Sequence, residues 1–97
     1  MILEGAMLQV KEGMEHNFEL TFQEASKIIA SMEGYIEHSI HRCFEVEGKY
    51  LLLVKWERLE DHTIGFRQSE KYEKWKTMLH HYYEPFPIVE HFQKIEL

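Results

Sequence analysis

The eight residues "YLLLVKWE", Tyr50 to Glu57, decide the fold. Seven of the eight are apolar, aromatic or long-stemmed, and the run is bounded by "EGK" at 47–49, so it predicts a strand entered through a hairpin turn with Gly48 inside it. Alternation puts Tyr50, Leu52, Val54 and Trp56 on one side and Leu51 and Leu53 on the other. Both sides are apolar. A sheet with one wet face alternates more cleanly, so this strand implies that the second face is also covered.

Upstream, Tyr35 to Val46 predicts the hairpin partner, with Ile36, Ile40 and Phe44 on one face and Tyr35 and Cys43 on the other. Before it, Phe18, Phe22, Ala25, Ile29 and Met32 step by three or four residues and predict a helix over about 15–32, ended by Gly34. Ile2 to Val10 predicts a first strand that stops at "KEG". Downstream, Leu59 to Phe66 predicts a short helix. Ser69 is then the expected N-cap of a longer one, with Glu70 and Glu73 in its first turn and Tyr72, Trp75, Leu79 and Tyr82 on its inner stripe. Pro85 and Pro87 end helical structure, and Ile88 to Ile95 predicts the last strand. The order β-α-β-β-α-β defines an α+β, ferredoxin-like protomer: a four-stranded antiparallel sheet with both helices on one face. The face left bare calls for a partner, and a second copy stacked sheet to sheet is the economical choice.

Composition sets further bounds. Residues 1–97 are expected to form a single domain, 44% hydrophobic and therefore with a real but small core. The net charge of −6 argues against nucleic acid or an anionic membrane as partner. Cys43 is the lone cysteine, "MILEGAMLQV" lacks the basic start of a signal peptide, and "YLLLV" is too short to span a bilayer, so a cytoplasmic protein is expected.

None of the five glycines builds a dinucleotide or phosphate loop, so no resident nucleotide or flavin is expected. Histidine is the chemically unusual residue, seven in all. His80 and His81 are about 100° apart on a helix and cannot easily share a metal. His62 and His91 could join a site only by long-range convergence, so no metal is expected. "EDHTIGFRQS" is more informative. A histidine and an arginine one turn apart, beside Phe66, could bind and polarise a small anionic or phenolic ligand. The plainer alternative makes His62 a cap and Arg67 a surface ion-pair partner. "LHHYYEPFPIVEHF", 79–92, reads first as the joint where helix becomes strand.

The segment from Gly34 to Phe92, above all "YLLLVKWE", "LEDHTIGFR" and "LHHYYEPFPIVEHF", resembles the antibiotic biosynthesis monooxygenase family of the dimeric α/β-barrel superfamily. The resemblance implies a homodimer whose sheets pair into a barrel, with a pocket between sheet and helices in each copy. It also implies oxygen chemistry on small aromatic or polyketide-like molecules, without metal or flavin in some members and with haem breakdown in others. The haem-degrading branch uses an asparagine on the first strand, a tryptophan before the second helix and a histidine within it. Here the first strand has no asparagine, the tryptophan position falls on Phe66, and the histidine position falls near Trp75 or Lys76. Haem degradation is therefore disfavoured. The expected catalytic residues are His62 as base with Arg67 and Tyr72 as donors to a developing oxyanion. Phe66, Trp75 and His80 are expected to line the substrate pocket. The rival is a non-catalytic dimeric binding or stress-response protein using the same pocket.

Overall fold

The structure is a computed structural model that describes residues 1–97. Four strands, β1 (Ile2–Gln9), β2 (Tyr35–Arg42), β3 (Lys49–Trp56) and β4 (Val89–Phe92), form one antiparallel sheet in the order β2-β3-β1-β4. Helices α1 (Glu15–Ala30) and α2 (Glu70–Leu79) lie together on one face. The ferredoxin-like arrangement expected from the element order is present.

The period-two pattern of β3 sets the layers. Tyr50, Leu52, Val54 and Trp56 point at the helices and are all at most 4% exposed. They meet the α1 stripe of Phe18, Phe22, Ala25 and Ile29 and the α2 residues Trp75 and Leu79. Rings interlock across the layers: Phe18 with Tyr50 at 5.0 Å and Phe22 edge-on to Trp75 at 5.8 Å. Full burial of each such side chain contributes about 1.5–3 kcal/mol.

Four details differ from the sequence-based expectation. First, α1 ends at Ala30, not Met32, and its last turn closes through tighter bonds from Ser31 to Ile28 and Met32 to Ile29. Second, the register of β2 on β3 slips between Tyr35 and Glu37. Tyr35 therefore lies opposite Trp56 and packs against the core with Ile40, instead of on the other face from it. Third, β2 stops at Arg42. Residues 43–48 bend away, and Phe44 is fully exposed. The turn is closed by Cys43 N–H bonding the Lys49 carbonyl at 2.8 Å, with Gly48 at φ +78°. Fourth, β4 covers only Val89–Phe92, because Phe92 already lies opposite Leu3 and β1 begins at Ile2. The chain beyond runs past the end of its partner.

The joint at 79–92 keeps its expected role. Helix α2 tightens into one narrow turn, His80–Tyr82, and Tyr82 bonds Thr21 of α1 at 2.9 Å. Tyr83 bridges Val10, and Glu84 N–H bonds the Gln9 carbonyl. The Glu84–Pro85 peptide is cis. Residues 85–88 then cross to the outer strand.

The opposite sheet face carries Leu3, Met7, Leu51, Leu53 and Phe92 and has no layer over it. Met7 and Phe92 are about half exposed. With Phe86 and Ile88 they line a shallow apolar groove of about 660 Å³.

Candidate active site

Between β3 and α2 the chain makes a wide turn, Asp61–Phe66, in which Arg67 N–H reaches back five residues to the His62 carbonyl at 3.1 Å. Such widened turns recur at functional sites because the extra residue re-aims side chains. Here Asp61 anchors the entry. Its carboxylate accepts from Arg58 N–H at 3.1 Å and pairs with the Arg58 guanidinium at 3.2 Å. The exit is fixed by Ser69, whose hydroxyl donates to the Phe66 carbonyl at 2.6 Å and accepts from Tyr72 N–H at 3.2 Å, capping α2 as its position predicts. Between these two anchors His62 and Phe66 turn inward and are buried.

The turn, α2 and the sheet enclose a cavity of about 330 Å³. His62, Phe66, Arg67, Tyr72, Trp75 and His80, the six residues singled out in the sequence, all line it. Phe66 meets Tyr72 and Trp75 edge-on at 5.3 and 5.7 Å and forms the central wall. Arg67 is exposed and stands at the rim, with no carboxylate in ion-pair range. His80 is half-buried, edge-on to Phe86 at 4.8 Å. Burial, and then the charge of Lys76, hold its imidazole below the ordinary histidine value.

His62 does not cap a helix. It is 3% exposed and packs against both Trp56 at 5.4 Å and Phe66 at 6.2 Å, which also touch each other, so the three rings form a compact triangle. Its Nδ1 is hydrogen-bonded to His91 Nε2 at 2.8 Å, and its Nε2 lies 3.4 Å from Glu4 Oε1. The same Glu4 oxygen accepts from Trp56 Nε1–H at 2.9 Å. Burial, reinforced by the positive charge of Arg67 and by His91, pushes the His62 imidazole down to about 3. It is therefore neutral at physiological pH. Burial also pushes the Glu4 carboxyl above its usual 4.5, with the Trp56 hydrogen bond and Arg67 pulling partly back. His91, half-buried on β4, is held low by burial and by Arg67.

Glu4 and His91 were not assigned to the site from sequence. Each carried a signal. Alternation along β1 puts Glu4 in phase with Ala6 and Leu8, so an acid was pointing into the core. On β4 the same phase turns Val89 and His91 inward. The convergence of His62 and His91 does occur, but as a hydrogen bond. The His62 ring offers opposite nitrogens to Glu4 and His91, so the three do not share a coordination point.

The ferredoxin-like protomer thus carries an aromatic-walled cavity beside a buried carboxylate and imidazole, the features by which a candidate small-molecule site is recognised. Comparison with known proteins narrows the class. The profile of the antibiotic biosynthesis monooxygenase family matches residues 1–78. The chain is 57% identical over 95 residues to the uncharacterised protein YczJ of Bacillus subtilis, covering 98% of this chain and 100% of YczJ. A Bordetella bronchiseptica crystal structure assigned to the same family superposes with a TM-score of 0.93 at 30% identity, covering 98% and 97% of the two chains. SnoaB of Streptomyces nogalater, a cofactor-independent oxygenase, shares the fold at a TM-score of 0.74 and 18% identity over 99% of this chain and 94% of SnoaB. The chain belongs to the antibiotic biosynthesis monooxygenase family. No helix in it is long and apolar enough to cross a membrane.

Proposed function

We propose that this protein is a small cytoplasmic oxygenase that oxidises a compact aromatic or polyketide-like molecule with molecular oxygen, using its own side chains without metal or flavin. One observation carries the reading. His62, Arg67, Tyr72 and His80 converge on one aromatic-walled cavity of about 330 Å³. That volume is at the lower end of the roughly 300–1,000 Å³ typical of small-molecule sites, which favours a few fused rings over an extended chain. Phe66 and Trp75 hold the ring system. The His62 end takes up a proton from the substrate. Arg67 and Tyr72 stabilise the oxyanion that results, at a rim where a cation is not already neutralised. The electron-rich carbanion then reduces oxygen and captures it.

The working unit we propose is a homodimer formed through the bare sheet faces. Half-exposed Met7 and Phe92, beside Leu51 and Leu53, are the apolar surface that supports it.

The test uses anthrone, whose methylene loses a proton to leave an anion delocalised over three rings. Purified protein is supplied with ¹⁸O₂, and the product is read by mass spectrometry. One labelled oxygen in the product, lost in His62→Ala at unchanged folding, is the expected result. Binding of anthrone and of related phenols and quinols without any turnover would instead make this a binding protein.

A further inference from the structure

Glu4, His62 and His91 form a line of polar groups that crosses the buried layer from the cavity to the outer strand β4. We propose that Glu4 is the catalytic group that takes the substrate's proton and later returns it, and that His62 is a positioning residue whose tautomer His91 sets. This rests on the oxygenase reading and divides the labour at its proton-accepting end.

The geometry assigns the roles. A general base needs a free lone pair facing the substrate. His62 has none to spare. Its Nδ1 is engaged by His91 at 2.8 Å and its Nε2 faces Glu4 at 3.4 Å. Glu4 does have one. Oε1 accepts from Trp56, whereas Oε2 makes no hydrogen bond, and no buried side-chain polar atom lacks a partner. Oε2 is therefore not fully sealed, on a residue that is 5% exposed and lines the cavity. If His91 donates its Nε2–H to His62 Nδ1, His62 must carry its own proton on Nε2, which faces the carboxylate. The Trp56 N–H favours the Glu4 carboxylate, the His62 N–H lies 3.4 Å away without a formed hydrogen bond, and burial makes Glu4 a stronger base than a surface glutamate. The other charged and titratable groups facing it are Arg67 at the rim and Tyr72, His80 and Tyr83 on the cavity wall.

The step balances without another reagent. Glu4 carboxylate takes a proton from the substrate methylene and leaves a carbanion. The carbanion gives an electron to oxygen, and the radical pair closes a C–O bond to a peroxide anion. Glu4 carboxylic acid returns its proton to that anion. The hydroperoxide then loses water to leave a carbonyl, so CH₂ plus O₂ becomes C=O plus H₂O, and Glu4 is an ionised base again.

Two measurements on the full-length protein test this. The first is nitrogen NMR of the imidazole rings without substrate. His62 is expected to be neutral with its proton on Nε2 from pH 5 to 8, and His91→Ala is expected to let the Nδ1–H form appear. An imidazolium or an Nδ1–H tautomer in the wild type overturns the relay. The second is anthrone oxidation by Glu4→Gln and Glu4→Ala. Both should lose roughly 100-fold or more in kcat with little change in KM. Added formate should restore part of the Glu4→Ala rate, which a merely structural loss would not allow. Full activity in Glu4→Gln, with rescue of His62→Ala by imidazole, would return the base role to His62. If the folded wild type turns over no probe, the oxygenase reading falls and the catalytic role of Glu4 with it, while the tautomer measurement still decides the relay.

Discussion

At the scale of single residues, burial governs the chemistry of this site. His62 ordinarily titrates at 6.5 but is pushed down to about 3 in the folded protein. Between those values the unfolded chain holds a proton that the folded one refuses, so acid favours unfolding. The stabilising contribution is complete above pH 6.5 and is lost as pH falls towards 3. His80 and His91, also held low, act in the same direction, whereas Glu4, held high, opposes them. Replacing His62 with Gln should therefore shrink the loss of unfolding free energy between pH 7 and pH 4 by at least ~1 kcal/mol, since each pKa unit is worth about 1.4 kcal/mol. Urea titrations of both proteins at the two pH values give the comparison; equal losses would mean that His62 is solvated. Gly34 offers a second residue-scale test. It sits at φ +85°, and a Cβ there would overlap the Asp61 carboxylate that holds the wide turn. Strain and clash together should cost Gly34→Ala ~2 kcal/mol or more, read as a lowered Tm.

At the scale of elements, legibility in the sequence followed the strength of the local period. The α1 stripe and the alternation of β3 are long and regular, and both elements form within two residues of where the pattern places them, with the buried stripes as expected. The ends of β2 and β4 differ from the local pattern because strand length is set by what lies opposite. Phe44 and Val46 are good strand residues with no neighbour to pair with, and Ile95 lies beyond the end of β1. The bulge at Tyr35 is also a pairing property, invisible in β2 alone. The site was partly legible for the same reason. Residues on one local segment, His62 to Trp75, could be grouped by spacing, whereas Glu4 and His91 join them only through the antiparallel pairing of β1 and β4, where they lie directly opposite each other. Capping is local, and the Ser69 cap stands where the sequence pattern places it. Ser69→Ala should cost about 1 kcal/mol of stability through loss of its bond to Tyr72 N–H. Because the same hydroxyl also ties down the end of the wide turn at Phe66, this variant should exchange the amide hydrogens of 62–67 faster than those of α1.

At the scale of the whole molecule, the two sheet faces differ in what covers them. One face is closed by helices over a core of 16 buried hydrophobic residues, and the other has no layer of its own. For a chain of this length the single core leaves a narrow margin, so covering Leu51, Leu53, Met7 and Phe92 by a second copy would add burial the protomer cannot supply. The joint at 85–88 links this surface to the cavity, since Phe86 and Pro87 line both the apolar groove and the inner site. On the proposed homodimer, covering the bare face should therefore affect the cavity as well as stability. Leu53→Glu puts a charge at the middle of the bare face, opposite Gly5 of β1 and Ser39 of β2, without touching the helix side. It should move the mass measured by light scattering from two chains to one at micromolar concentration and lower Tm. Loop 85–88 should then become more accessible to protease, and affinity for an aromatic probe should fall although no cavity residue has changed. A variant that runs as one chain and still binds the probe as tightly as wild type would separate assembly from the site, and the bare face would then serve stability alone.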